Sequence, residues 1–104
     1  MLLIREVMYC KPGKVKPLVE KFQAMSKLMQ KGNLGKMRIL TDVASDRYWT
    51  LVAEMEVPSL AAFEKMMYEQ QGMSPEIGKE MESAMKGYHD LVEHGRREIY
   101  RIEG

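Results

Sequence analysis

The stretch KMRILTDVASDRYWTLVAEMEV, residues 36–57, decides the fold of this chain. Apolar and polar residues alternate along both of its halves, a pattern typical of strands whose two sides meet different surroundings. The residues ASDR at 44–47 predict a short turn between the two strands. The charged side of this hairpin includes Arg38 and Glu54, mixed with apolar residues. The opposite side is predicted to be dry and carries Met37, Ile39, Thr41, Val43, Trp49, Leu51, Ala53, Met55 and Val57.

Before the hairpin, the sequence predicts one strand and one helix. Residues 2–10 form a strand candidate, which ends at a Pro-Gly pair because proline lacks the backbone N–H and glycine lacks a Cβ. Residues 15–31 place an apolar side chain at every third or fourth position, as an amphipathic helix does. After the hairpin, residues 60–71 predict a short helix that stops at Gly72.

The remainder predicts a longer helix and a last strand. Ser74 is the N-cap of the helix, which carries apolar residues on one side and closes at Gly95. Residues 96–103 alternate again and predict a short, charged strand of the kind found at sheet edges and interfaces.

The predicted order is therefore β-α-β-β-α-α-β, in a single domain over residues 1–104. This order indicates an α+β, ferredoxin-like fold with a four-stranded antiparallel sheet and helices on one face. The other face is too apolar for plain solvent surface and too charged for a plain core. Pairing of that face with a second copy would bury it, so we expect a homodimer with a partly polar cavity between the sheets.

Composition excludes several classes of protein. The chain has 104 residues, 45% hydrophobic and 30% charged, which is ordinary for a soluble globular domain. No apolar run approaches the roughly 20 residues that span a bilayer, and the N-terminal residues do not resemble a signal peptide. With one cysteine, Cys10, no internal disulfide is expected. We therefore predict a cytoplasmic protein without a membrane partner.

The charge distribution is uneven. Residues 1–40 hold nine Lys or Arg and two acids, and the remaining residues hold seven and thirteen, so the two parts carry +7 and −6. Most of the lysines fall on the solvent side of the predicted first helix, and no aromatic residues interleave with them to stack on bases. A solvated helix face is the preferred interpretation, and no nucleic-acid partner is expected. The asymmetry also suits docking of one half on the other, within a chain or across a dimer.

Several features resemble the dimeric α/β-barrel superfamily, in particular its NIPSNAP-like and antibiotic-biosynthesis-monooxygenase-like groups. They are the opening strand that leads into KPGK at 11–14, the apolar helix to Phe22, and the Trp49 strand followed by PSL at 58–60 and Phe63. The resemblance covers nearly the whole chain as a pattern of elements.

That resemblance implies a homodimer and a cavity between sheet and helices for a small organic molecule. It implies a cofactor-independent monooxygenase-like activity on a small aromatic or polyketide-like compound, or a non-catalytic dimeric binding or interaction module. NIPSNAP-like sequences carry an arginine and a tyrosine in the first strand, and Arg5 and Tyr9 lie there on one face. Haem-degrading members use a first-strand asparagine and a histidine ligand on a helix. Here the first strand has no asparagine and the predicted helix at 60–71 has no histidine, so no cofactor is expected.

Arg38 and Glu54 are the candidate catalytic pair because they lie on adjoining strands of the charged face. In one interpretation Arg38 binds an anionic or oxygen-rich substrate, and Glu54 orients Arg38 or accepts a proton. In the other, the two form an interfacial salt bridge that fixes the register of the dimer.

Tyr48 and Trp49 are the candidate aromatic binding residues. Trp49 could stack on a planar substrate at the cavity mouth. It shares a side with the dry residues of its strand, however, which favours packing under the helices. Tyr48 points the opposite way and is the better candidate for the cavity.

The remaining reactive residues do not predict a metal site. His89 and His94 lie five residues apart, about 140° around a helix, so they cannot share a ligand face. Lys11 and the following helix give Cys10 only a weak basic environment, and no histidine is close in sequence, so Cys10 is interpreted as a buried small residue. The unusually frequent methionines fill core stripes and also suit a loosely shaped pocket for an apolar ligand; those on predicted stripes are Met25, Met29, Met67, Met81 and Met85.

Overall fold

The computed structural model describes residues 1–68 and 74–104, and it has the predicted order of elements. One 3₁₀ turn, Tyr88–Asp90, follows the last helix. The predicted end of the second helix near residue 71 and its stop at Gly72 lie outside the described residues. The elements are β1 (Leu2–Cys10), α1 (Val15–Lys31), β2 (Met37–Thr41), β3 (Thr50–Val57), α2 (Leu60–Tyr68), α3 (Pro75–Met85) and β4 (Val92–Arg101).

The four strands form one antiparallel sheet in the order β2-β3-β1-β4. The register places Glu54 of β3 opposite both Arg5 of β1 and Arg38 of β2, and it places Glu98 of β4 opposite Arg5. The predicted α+β, ferredoxin-like fold is therefore confirmed. Among the described residues, no helix is long and apolar enough to cross a membrane.

The core lies between one face of the sheet and the helices. Leu18 and Phe22 of α1 pack against Leu51 and Ala53 of β3, and Cys10 joins this cluster. Burial, with a smaller contribution from Asp42, raises the pKa of the Cys10 thiol. A second cluster joins Ile4, Val57 and Phe63 under α2. The dry side predicted for β3 is thus the side that the helices cover.

The connection between β2 and β3 is longer than the predicted turn. It runs over residues 42–49, and Trp49 has a positive φ of 61°, which interrupts the alternation before the strand begins at Thr50. The loop is held because Thr50 N–H donates to the Asp42 carboxylate at 2.9 Å and the Thr50 hydroxyl donates to the Arg47 carbonyl at 2.9 Å. The predicted positions of Val43, Tyr48 and Trp49 within the two strands are therefore wrong.

The predicted continuation of the last helix to Gly95 is also wrong. The helix ends at Met85, Gly87 adopts a left-handed φ of 82°, and β4 begins at Val92. The chain turns here to pair with β1: the Lys11 N–H donates to the Leu91 carbonyl at 2.9 Å. The two histidines consequently lie in different elements, one in the 3₁₀ turn and the other in β4.

Gly95 lies inside β4, opposite Met8. A Cβ at this position would overlap the carbonyl oxygen of Val7 and lie 3.3 Å from the Cα of Met8. Glycine is required here because the β1 and β4 backbones approach each other closely. The residue that resembled a helix stop is a close-approach site within the sheet.

We expect Gly95→Ala to lower the free energy of unfolding by about 1–3 kcal/mol, because the added methyl must push β4 away from β1. Urea denaturation of the two proteins measures this difference. Gly104→Ala is the matched control, since nothing lies within 4 Å of a Cβ there. Equal midpoints for Gly95→Ala and Gly104→Ala would show that the strands are not in close contact at Gly95.

Candidate functional site

The second face of the sheet carries none of the helices that the structure describes, and we call it the open face. It is not uniformly wet, because Val7, Tyr9, Thr50 and Glu54 are buried there by their neighbours. Charged groups occupy its middle and apolar groups lie beside them. The strand residues of the open face are Leu3, Arg5, Val7, Tyr9, Arg38, Leu40, Thr50, Val52, Glu54, Glu56, His94, Arg96, Glu98 and Tyr100.

A chain of ion pairs crosses all four strands on the open face. Glu54 accepts hydrogen bonds from Arg5 Nε at 2.8 Å and from Arg38 Nε at 3.1 Å. Arg5 also donates to Glu98 at 3.1 Å, and Glu98 accepts from Arg96 Nε at 2.8 Å. We call these five residues the ion-pair chain.

Glu54 is the buried centre of the ion-pair chain, with 7% of its surface exposed. The hydrogen bond from Arg38 holds the pKa of the Glu54 carboxyl below its usual value, and Arg5 adds to this effect, although burial opposes it. The same hydrogen bond raises the pKa of Arg38. A carboxylate held between two guanidinium groups is stabilised in its ionised form, so this geometry favours orienting the arginines over accepting a proton.

Tyr9 connects the ion-pair chain to the β2–β3 loop. Its hydroxyl donates to Asp46 at 3.1 Å and accepts a hydrogen bond from Arg96. The Arg47 guanidinium lies 4.6 Å from the centroid of the Tyr9 ring, and the ring of His94 lies 5.1 Å from it. Charged and aromatic groups of β4 and of the β2–β3 loop therefore hold this tyrosine in place.

Tyr48 and Trp49 lie elsewhere. Both line one open groove at the start of α1, together with Val15, Thr41 and Asp42, and we call it the aromatic groove. Tyr48 is 84% exposed and Trp49 is 43% exposed. The two rings do not take opposite sides of a strand as predicted, because the positive φ of Trp49 removes both from the regular strand.

A separate cavity of about 310 Å³ lies between the sheet and the helices, and we call it the helix-side cavity. Its charged residues, Glu6 and Arg97, form an ion pair with each other. The Arg97 guanidinium lies 5.0 Å from the centroid of the Phe63 ring. The other lining residues are apolar or aromatic: Met8, Phe22, Met25, Met29, Leu34, Met37, Met55, Met66, Met67, Met81, Met85 and Tyr88.

Of the six residues that the sequence nominated, four meet on the open face. Arg38 and Glu54 are in direct contact, Arg5 binds the same carboxylate, and Tyr9 lies four residues further along β1 on the same face. Tyr48 and Trp49 are apart from them. The sequence did not predict Arg96 and Glu98 of β4, which complete the ion-pair chain. It also did not predict the ion pair between Glu6 of β1 and Arg97 of β4 on the wall of the helix-side cavity. The alternation of β4 carried a signal for Arg96 and Glu98, and the charge of Glu6 within an apolar strand carried another.

Comparisons with known proteins agree with this fold. No protein-family model matches the sequence, and no curated protein matches it. An uncharacterized NIPSNAP domain protein from Burkholderia xenovorans superposes with a TM-score of 0.75 at 12% identity, over 99% of this chain and 95% of that one. The chain has a NIPSNAP-like fold.

Two further structures share the NIPSNAP-like fold. Protein Atu4242 from Agrobacterium tumefaciens superposes with a TM-score of 0.77 at 14% identity, over 99% of this chain and 94% of that one. A structure described as an antibiotic biosynthesis monooxygenase gives a TM-score of 0.67 at 11% identity, over the full length of both chains. The resemblance predicted from the sequence is thereby confirmed for the fold.

The ion-pair chain predicts a pH-dependent contribution to stability. Because the pKa of Glu54 is lower in the folded chain, its carboxylate stabilises the fold above the unfolded pKa of about 4.3. This stabilisation is lost as the pH falls through the lower folded value. We expect Glu54→Gln to cost about 1–3 kcal/mol of unfolding free energy at neutral pH. The difference from the natural protein should shrink as the pH falls below about 4.

Urea denaturation between neutral and acidic pH measures this effect, and Glu56→Gln is the control. Glu56 lies two residues along the same strand but is exposed. A cost for Glu54→Gln that is equal to that of Glu56→Gln, or that does not change with pH, would contradict the proposed contribution.

Proposed function

We propose that this chain is a homodimeric small-molecule-binding protein that holds a small aromatic or polyketide-like compound in the helix-side cavity. The observation that carries the proposal is the cavity itself, an apolar space with one ion pair on its wall. The subunits of the proposed dimer pair through their open faces.

The size and lining of the helix-side cavity support an aromatic ligand. Its volume of about 310 Å³ lies at the lower end of the range of small-molecule pockets. Methionine thioethers make favourable contacts with aromatic rings, and their flexible side chains adapt to a planar shape. The Glu6–Arg97 pair supplies charge at one position, which suits a compound with an oxygen-bearing end. A compact ring system with one polar end therefore fits this space best.

The shape of the chain supports the dimer. Its principal extents are 36 × 35 × 19 Å, those of a flat molecule with one layer of sheet and one of helices. A compact monomer of this mass exposes about 6,000 Å², whereas the chain exposes 7083 Å². Leu40 and Tyr100 leave apolar surface exposed at the two edges of the open face. A second copy would cover that surface and complete a sheet-to-sheet barrel.

The residues nominated from the sequence divide between two proposed roles. We assign Arg5, Arg38 and Glu54 to the dimer interface, where a chain of mutual ion pairs would fix the register of the two sheets. We assign Tyr9 to the interface as well, because its hydroxyl accepts a hydrogen bond from Arg96 of the ion-pair chain. Substrate binding by Tyr48 and Trp49 stays a prediction, since the aromatic groove lies apart from the helix-side cavity.

Cofactor-independent oxygenation is a second candidate, favoured by the carboxylate of Glu6 on the cavity wall. Glu6 is paired with Arg97, so in this proposal Glu6 takes the proton of a bound phenol while the Arg97 guanidinium holds the phenolate, which is the form that O₂ oxidises readily. Oxygen uptake with a dihydroxynaphthalene, compared between the natural protein and Glu6→Gln, tests this activity. Binding without oxygen uptake would leave the non-catalytic binding module as the function.

We expect the helix-side cavity to bind the uncharged fluorescent probe N-phenyl-1-naphthylamine. Met81→Phe should weaken this binding about tenfold, because the larger ring occupies the cavity. Leu40→Phe, which makes a similar change on the open face, should bind as the natural protein does. Fluorescence titration measures the affinity, and thermal melts establish that both variants are folded. Failure of the natural protein to bind, or equal weakening in both variants, would contradict the cavity as the ligand site.

We expect Tyr100→Glu to dissociate the dimer, with a rise of about tenfold or more in its Kd, because the charge would be buried between two open faces. Leu60→Glu is the matched control: Tyr100 is 50% exposed on β4, and Leu60 is 48% exposed on α2. Sedimentation equilibrium measures both. A monomeric natural protein at about 100 µM, or equal dissociation in the two variants, would rule out pairing through the open face.

A further inference from the structure

We propose that Met25, Met29, Met81 and Met85 form a binding site for a soft monovalent metal ion, Cu(I), inside the helix-side cavity. This inference goes beyond the proposed function and does not depend on it. The ligands would be the thioether sulfurs of two methionine pairs, one on α1 and the other on α3.

The distribution of methionine is the first observation. Nine of the eleven methionines in the chain line this one cavity. Of the other two, Met1 is exposed and Met73 lies outside the described residues. Leucine, isoleucine and valine fill cores equally well, and they have no atom that binds metal. The cavity is therefore lined mainly by methionine, the apolar side chain whose sulfur atom is also a soft metal ligand.

The spacing within each helix is the second observation. Met25 and Met29 lie four residues apart on α1, and Met81 and Met85 lie four residues apart on α3. Residues at this spacing are neighbours on one helix face, with Cβ atoms about 5–6 Å apart. Each helix therefore presents two thioethers together to the same cavity.

Packing of the two helices brings these pairs to the same level. Lys21 Nζ of α1 donates to the carbonyl of Lys86, just after α3, at 2.6 Å. At the other end of α1, a Cβ on Gly32 would lie 2.9 Å from Cδ1 of Ile77. The helices are therefore antiparallel.

Between those two contacts the helical rise sets the level of each methionine. Met25 comes level with the turn between Met81 and Met85, and Met29 lies within about one turn of Met81. Four long, flexible side chains thus approach one region of the cavity from two sides.

The chemistry of thioethers restricts the ion. Neutral, polarisable sulfur ligands select Cu(I) over the harder divalent ions, which prefer oxygen and imidazole. In the part of the chain that the structure describes, no group of three His, Cys, Asp or Glu residues competes for a metal ion. A thioether carries no proton to lose, so the affinity should be constant between about pH 6 and pH 8, unlike that of histidine or thiolate sites.

Cys10 carries the one thiol of the chain, which is a second kind of soft sulfur ligand, so its contribution must be separated from that of the methionines. It is buried beside Leu18 and Phe22 and does not line the helix-side cavity. The experiment is therefore carried out in the Cys10→Ala background, in which any remaining soft-metal binding comes from thioethers.

The test is titration of the full chain with Cu(I), in competition with a chromophoric Cu(I) chelator, and with Ag(I) alone as a redox-inert probe. Met29→Leu/Met81→Leu removes one ligand from each pair with little change in volume. The matched control is Met55→Leu/Met66→Leu, which changes the same number of cavity methionines on the side that packs against Ile4, Val57 and Phe63.

We expect one ion per chain, an affinity at least about tenfold weaker in Met29→Leu/Met81→Leu, and no change in the control or across the pH range. The ε-methyl resonances of Met25, Met29, Met81 and Met85 should shift on addition of Ag(I). Absence of binding, loss of binding in Cys10→Ala, equal loss in both double variants, or binding that weakens with falling pH would overturn the proposal. Binding of N-phenyl-1-naphthylamine without Ag(I) binding would overturn it while the proposed function stands.

Discussion

One constraint governs this molecule: a four-stranded sheet has two faces, and the described helices lie on only one of them. The covered face is buried against the helices by apolar clusters around Leu18, Leu51 and Ile4. On the open face it uses charged groups that bind each other. Glu54 is buried by its neighbours on that face, and a buried carboxylate is stable only with partners, which Arg5 and Arg38 supply.

The open face and the helix-side cavity differ in the kind of contact that each can make. The charged groups in the middle of the open face pair with one another: Arg5 and Arg38 bind Glu54 across strands, and Glu98 binds Arg5 of β1 and Arg96 of its own strand. Such a surface favours specificity of association over chemistry. The helix-side cavity is the opposite, since it is lined by flexible thioethers with one ion pair at the wall. A ligand or an ion is better accommodated where the lining can adapt.

The local pattern of apolar and polar residues was sufficient to predict the two faces of the sheet. It was insufficient to predict where strands and helices begin and end. The alternation over residues 36–57 predicted which residues face the helices and brought Arg38 beside Glu54, as observed. It failed at Trp49, where hydrogen bonds of Asp42 and Thr50 hold a longer loop. It also failed at Gly95, because the sequence alone does not distinguish a glycine required by a close approach of two backbones from one that ends a helix.

The site residues that the sequence did not predict were missed for a different reason. Glu6 and Arg97 are separated by 91 positions and meet only because β1 pairs with β4. The same register joins Arg5 to Glu98. No periodicity within either strand contains that pairing. The methionine stripes were visible in the sequence, but their meeting in one cavity depends on how α1 and α3 pack.

The position of β1 has a consequence for how the chain acquires its structure. This strand precedes β3 and β4 along the chain yet lies between them in the sheet, and the N–H of Ile102 donates to the carbonyl of Met1 at 3.1 Å. During translation β1 therefore lacks one of its two neighbours until β4 has also left the ribosome. Until then β1 presents an unprotected edge to other nascent chains, and assembly of the sheet depends on contacts between strands that are far apart in the sequence.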